Sequence, residues 1–356
     1  AGGGIGAADN FLDINPAADG QVIVQAAGDI YLRDPVGNFY VDVIQSTDGD
    51  VSLEAAVSIV DADADNNVAD VIGRSISLNA VAGGIGLPFT GDLDIDTDAL
   101  SSGVLTAYST LNAYLFETDE DLFLNEIATG DGFTAFIQSP GRILNGRNDG
   151  ANVVSGATRL YAAEDIGEEI HHLRTQVGLL EGYAEARDVW IENTGPLTVG
   201  GVSEMVGITA TGDVNLTASS PLTVSESINA PNITLTATDD ADDAVGQEDS
   251  DDLTVESGVT LTATTGGVTL QAGDNLVIEE GAIINAATFV TLAGDYGNAD
   301  EGKGSVIDPR GQTTITDATG EAVFISGEGD DDVFDLSGFS LPDGVTAAVS
   351  GGEGID

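Results

Sequence analysis

The chain repeats itself. Gly3-Gly4-Ile5-Gly6 returns as Gly83-Gly84-Ile85-Gly86 and, more weakly, as Glu164-Asp165-Ile166-Gly167, so that Ile5, Ile85 and Ile166 are almost evenly spaced. Other landmarks keep that step. Asp29-Ile30-Tyr31-Leu32 matches Asn112-Ala113-Tyr114-Leu115 and then Asp188-Val189-Trp190-Ile191. Ser75-Ile76-Ser77-Leu78-Asn79-Ala80 matches Thr158-Arg159-Leu160-Tyr161-Ala162 and Asn232-Ile233-Thr234-Leu235-Thr236-Ala237. A fixed period of this kind points to supersecondary units that bury their apolar faces by stacking on one another.

The repeat divides the chain into units at 1–80, 81–162 and 163–240, a degenerate fourth at 241–308, and Gly/Asp-rich turns at 309–356. A shorter beat runs inside the units. The phrase apolar-Thr-Leu-x-Ala spans Val214 to Ala218, Ile233 to Ala237, Val259 to Ala263 and Val268 to Ala272. The step from Leu216 to Leu235 is about twice the step from Leu261 to Leu270. Apolar and polar residues alternate within each phrase, which is the period of a strand. Short strands, about two to a turn of roughly 20 residues, predict an all-β right-handed parallel β-helix, or β-solenoid. At about 4.8 Å per turn, roughly 18 turns would make a rod of about 85 Å.

The alternative is a tandem array of β-sandwich modules, since a unit of about 80 residues also approaches that size. Tyr31, Tyr114 and Trp190 supply one aligned aromatic per unit, able either to seed a sandwich core or to form a ladder on a solenoid. The shorter similarity inside the units favours the solenoid. The stretch 168–187 reads superficially as a helix. Its place in the repeat matches Leu12-Asp13-Ile14 and Leu93-Asp94-Ile95, so it is predicted to be strand.

Composition narrows the partners. With 61 acidic against 9 basic residues the net charge is −52, and Lys303 is the single lysine. Such a surface repels nucleic acid and anionic lipid and attracts cations. Exposed carboxylates repel one another over about 8–10 Å at ordinary salt, so a salty medium or divalent ions are expected to help the fold. Cysteine is absent, which removes disulfides, thiol chemistry and cysteine zinc sites. No apolar run approaches a membrane-spanning length, so no membrane insertion is expected. The chain opens Ala1-Gly2-Gly3-Gly4 and stops at Asp356 inside a turn motif, and a segment of a longer polypeptide is expected.

The strings GDIYL, ADVIGRSISLNAVAGGIG, LRTQVGLLEG, VWIENTGPLTVGG and ITATGDVNLTASSPLTV resemble the repeats of giant filamentous-haemagglutinin-like bacterial surface proteins, over roughly residues 1–308. The resemblance implies a secreted, β-helical, adhesive or surface-forming protein and carries no catalytic residue. Gly327-Glu328-Gly329-Asp330-Asp331-Asp332-Val333-Phe334 is similar to the RTX-type nonapeptide, with Ser326 in place of its first glycine, and Gly351 to Asp356 fits its first six positions. In that family the glycine turns and the aspartate hold calcium. Here the two copies start at Ser326 and Gly351 rather than in tandem nines.

Candidate ion ligands follow from the spacing of oxygens. Asp61, Asp63 and Asp65 alternate, and Asp70 follows, an arrangement suited to a hard cation such as Ca²⁺. The loop lacks the glycine of an EF-hand, and Ile72 stands where a bidentate glutamate would be. Gly327, Gly329, Asp330 and Asp332 form the second candidate calcium turn. Against each stands the plainer reading of a polar turn. The run from Asp239 to Asp252 reads as a solvated loop. His171 and His172 are adjacent, so on a strand they point to opposite faces and cannot easily share a metal.

No enzyme is expected. Carboxylates are everywhere, so their proximity carries no signal, and Arg142 with Arg147 is the one close arginine pair. A chain this acidic would also repel a polyanionic substrate. The reading is an extracellular or cell-surface bacterial structural and adhesive module, cation-stabilised, whose partners are neighbouring segments or identical copies in a filament. A glycan- or cell-binding module is the alternative, and a polysaccharide lyase or hydrolase the more remote one.

Overall fold

The computed structural model describes residues 3–17, 20–62, 68–88, 91–98, 103–239, 251–297, 304–317, 320–328 and 331–352. Among these every regular element is a strand, paired in parallel with strands of neighbouring coils, and the coils form a β-solenoid of about 13 turns. The chain divides into two compact units, Ala1–Gln176 and Val177–Asp356.

In the second unit three rows of strands stack in register. On the first, Val189, Val214, Ile233, Val268, Val290 and Val323 are successive partners, and two residues on, Ile191, Leu216, Leu235, Leu270, Leu292 and Ile325 form a parallel row. All twelve point inward and are at most 2 % exposed. Leu197, Leu222, Leu253, Leu276 and Ile307 form the second row. Ile208, Ile228, Leu261 and Ile284 form the third. Side chains in a strand alternate between faces, so the apolar-Thr-Leu-x-Ala phrase sends Val, Leu and Ala inward and Thr outward. The small residue closes each strand at the corner, where Asn193, Ala218, Ala237 and Ala272 stack.

The first unit is built the same way with less regular coils. Ile30, Val51, Ile76, Leu105 and Leu124 are stacked partners, as are Leu93, Leu115, Ile137 and Leu160. The recurring GGIG string has a single structural meaning. Gly6, Gly86 and Gly167 all adopt positive φ, at 70°, 65° and 73°. A Cβ at Gly6 would run into the carbonyl of Tyr31, and one at Gly86 into that of Tyr114. Each glycine opens a short turn closed by an antiparallel bridge, Ala7 with Asn10, Leu87 with Gly91, and Glu168 with His171.

Tyr31, Tyr114 and Trp190 face outward and are half-buried, so none seeds a sandwich core. The helix-like stretch is the strand Leu173–Ala184. The turns number about 13, fewer than the short beat implied, because coils grow by insertion. Val214 pairs with Ile233 after a coil of the basic length. Ile233 meets its next partner, Val268, only after a much longer coil, whose sequence includes the acidic run from Asp239 to Asp252.

Candidate binding surface

Of the carboxylates picked out for calcium in the first loop, the structure describes Asp61 and Asp70. Asp61 ends the strand Ile59–Asp61. Asp70 is 2 % exposed, and its Oδ2 accepts a hydrogen bond from the amide of Asp94 at 3.1 Å. Its own amide donates to the Asp94 carbonyl at 2.8 Å, and its carbonyl accepts from the Ile44 amide at 2.7 Å. Asp70 is thus a rung joining coils. Asp63 and Asp65 lie outside the described residues.

The glycine-aspartate turn shows the same economy. Asp332 is 4 % exposed, and its Oδ1 accepts from both the amide and the hydroxyl of Ser305, each at 2.8 Å. Gly327 pairs with Gly294, and a Cβ at Gly327 would collide with the Asp332 carboxylate. The fold therefore brings Gly327 and Asp332 into contact and turns the aspartate toward the neighbouring coil. Gly329 and Asp330 lie outside the described residues. Among the described residues no group of three or more Asp, Glu or His side chains converges as a metal site. The carbonyl of His172 accepts from Asn145 Nδ2 at 3.0 Å.

Two features escaped the spacing argument. Glu117, at the inward end of the strand Ala113–Glu117, is fully buried. Burial pushes its carboxyl from 4.5 up to about 8, against the bonds it accepts from the Thr97 amide, at 3.2 Å to each oxygen, and from the Thr97 hydroxyl at 2.8 Å. Asp96 is raised as well, by burial and then by Asp119 and Asp98. With Asp48, Asp119 and Glu120 it lines an acidic cleft of about 410 Å³. The alternation in Ala113-Tyr114-Leu115-Phe116-Glu117 already placed the glutamate inward; the acidity of the whole chain masked it.

The second feature is an aromatic cleft on the outer face of three successive coils. Tyr114 pairs with Phe136, and Phe136 with Arg159. The Tyr114 and Phe136 rings stack with centroids 4.7 Å apart and planes 8° from parallel. Asn112 Nδ2 donates to the Tyr114 hydroxyl at 3.1 Å and fixes the ring. Gln138 and Tyr161, paired two residues further along the same strands, extend the lining. Pro88 and Asp92, from the turn after Gly86, close one end of a cleft of about 220 Å³.

No family model, curated protein or solved structure matches the chain.

Proposed function

We propose that the chain is a structural and adhesive β-solenoid module of a large secreted bacterial surface protein, of the filamentous-haemagglutinin-like kind, whose acidic exterior is neutralised by cations of the medium. The observation that carries this reading is the use made of buried polar side chains. Asp70, Glu117, Asn152 and Asp332, with at most 4 % exposure, each bond the backbone of a neighbouring coil. Glu181 likewise holds the amides of Val202 and Ser203 at 2.7 and 2.8 Å. Groups that could serve chemistry at a site serve cohesion between coils. Stacked coils that depend only on their neighbours suit a module that continues into further segments or identical copies. A net charge of −52 suits an exterior bathed in salt and cations.

Two measurements test the reading. Immunogold electron microscopy of the producing cells should place the protein at the surface, in fibres; intracellular label would overturn it. Thermal melting in low salt, in sodium chloride and in calcium chloride of equal ionic strength tests the cation claim. Melting temperatures should rise with either salt. A larger rise with calcium, reversed by a chelator, assigns calcium a bound role beyond screening, as in the Asp61–Asp70 and Gly327–Asp332 turns. A melting temperature unchanged in low salt would refute cation stabilisation.

A further inference from the structure

We infer that the cleft lined by Tyr114, Phe136, Gln138, Arg159 and Tyr161 is a binding site for an uncharged saccharide. Three observations converge on it. The first is aromatic surface. Two stacked rings and a third aromatic wall stand on adjacent coils, all half-buried and facing outward, in a chain that is only 5 % aromatic.

The second is the state of Arg159. Arg33, Arg74, Arg142, Arg147 and Arg310 each lie within 3.2 Å of a carboxylate. Arg174 donates to the carbonyl of Asn148 at 2.9 Å, and Arg187 is also engaged. The Arg159 side chain alone has neither an ion pair nor a hydrogen bond among the described residues, although carboxylates abound on this chain. Its five N–H donors are available to a ligand.

The third is charge balance. Arg159 and Asp92 are the two charged residues of the lining, and they oppose each other in sign. The cleft is locally neutral on a chain of net charge −52.

These features select the occupant. A polyanion would be repelled by the chain as a whole. A peptide adding a strand needs a free sheet edge, and the strands that carry Tyr114 and Phe136 are paired on both sides. The volume of about 220 Å³ falls below the range of roughly 300–1,000 Å³ that encloses a drug-sized ligand. A sugar ring has an apolar C–H face to lie against Tyr114 and Phe136. It also has hydroxyls to meet the Gln138 amide, the Arg159 guanidinium and the Tyr161 phenol. Saccharide binding here stands or falls independently of the structural role proposed above.

Calorimetric titration of the full chain with neutral tetrasaccharides of glucose, N-acetylglucosamine, galactose and mannose, and with a sulfated tetrasaccharide, tests it. At least one neutral sugar should bind, and more tightly than the sulfated one. Phe136→Leu keeps an apolar side chain in the stack but removes the flat ring, and should weaken binding about five- to tenfold. Arg159→Gln should weaken it about threefold or more, as loss of a hydrogen-bonding fork does. Phe289→Leu, which changes an outward aromatic of the other unit, should bind as the parent does. Far-ultraviolet circular dichroism and melting temperature should match the parent in all three, so that weaker binding reports the site. Silence toward every neutral sugar, preference for the sulfated one, or a Phe136→Leu variant that binds normally would overturn the inference.

Discussion

The two units solve one electrostatic problem in different ways. In a parallel coil, residues at equivalent positions stack at about 4.8 Å, so a column of identical carboxylates would repel along its whole length. The unit 177–356 fills long stretches of its outward columns with neutral side chains. Thr198, Thr223 and Thr254 stack, and beside them Thr217, Thr236 and Gln271. The unit 1–176 carries charge in an outward column and alternates its sign there. Asp13, Arg33, Glu54 and Asn79 are successive partners. Arg33 lies 2.7 Å from Asp13 and 3.9 Å from Glu54, and Asn79 donates to Glu54 at 3.3 Å. Arg142 bridges Asp121 and Glu168, each at 2.7 Å. Of the eight arginines, only Arg187 and Arg310 fall outside 1–176. The ion pairs of 1–176 add a cohesion that salt can screen, whereas the apolar rows of 177–356 do not depend on it.

If cohesion in 177–356 comes from its neutral apolar rows, the largest effect should follow from breaking one. Leu235 is fully buried between Leu216 and Leu270. Leu235→Ala should cost about 2–5 kcal/mol in urea denaturation, with little dependence on salt. A loss below about 1 kcal/mol would mean that the coils collapse around the gap and that the rows are not close-packed.

The next test concerns the polar interior of 1–176. Glu117 titrates at about 8 in the fold, against 4.5 ordinarily. Below pH 4.5 it is protonated folded or unfolded and exerts no pull. Between 4.5 and 8 the unfolded chain gains by ionising while the folded one stays protonated, so stability falls as pH rises; above 8 the loss is complete. Each tenfold drop in proton concentration across that window removes about 1.4 kcal/mol, so the whole effect is on the order of a few kcal/mol. Glu117→Gln keeps an acceptor for Thr97 and removes the titration. It should therefore be more stable than the parent at pH 9 and equal to it near pH 4. Parallel pH–stability curves for the two proteins would refute the assignment.

The repeat was readable because stacking imposes it. Every inward Val, Leu or Ala must meet its counterpart one coil away, and the glycine of GGIG must reach positive φ, so both leave a period in the sequence. The part played by corner carboxylates was less readable. Asp70 and Asp332 have the spacing of loop oxygens, yet each caps backbone of an adjacent coil. Spacing along the chain does not encode which way a corner carboxylate turns. Arg159 and Phe136 carry no local motif at all; they become neighbours only when two successive coils are laid in register.

Smaller effects should separate the clamps from the neutral ladders. Arg142→Gln removes two partly exposed ion pairs and should cost about 1 kcal/mol at low ionic strength, less in molar salt. Thr236→Val is the counterpart in 177–356. The Thr236 hydroxyl donates to Gln271 Oε1 at 2.9 Å on the outer face, and valine keeps the β-branched shape. The change should cost a few tenths of a kcal/mol, within the range of cross-strand pairs, and should not respond to salt. Differential scanning calorimetry of both variants across a salt series decides the matter. If Thr236→Val gains a salt dependence like that of Arg142→Gln, the hydroxyl column is holding surrounding charges apart, and the two units share one mechanism after all.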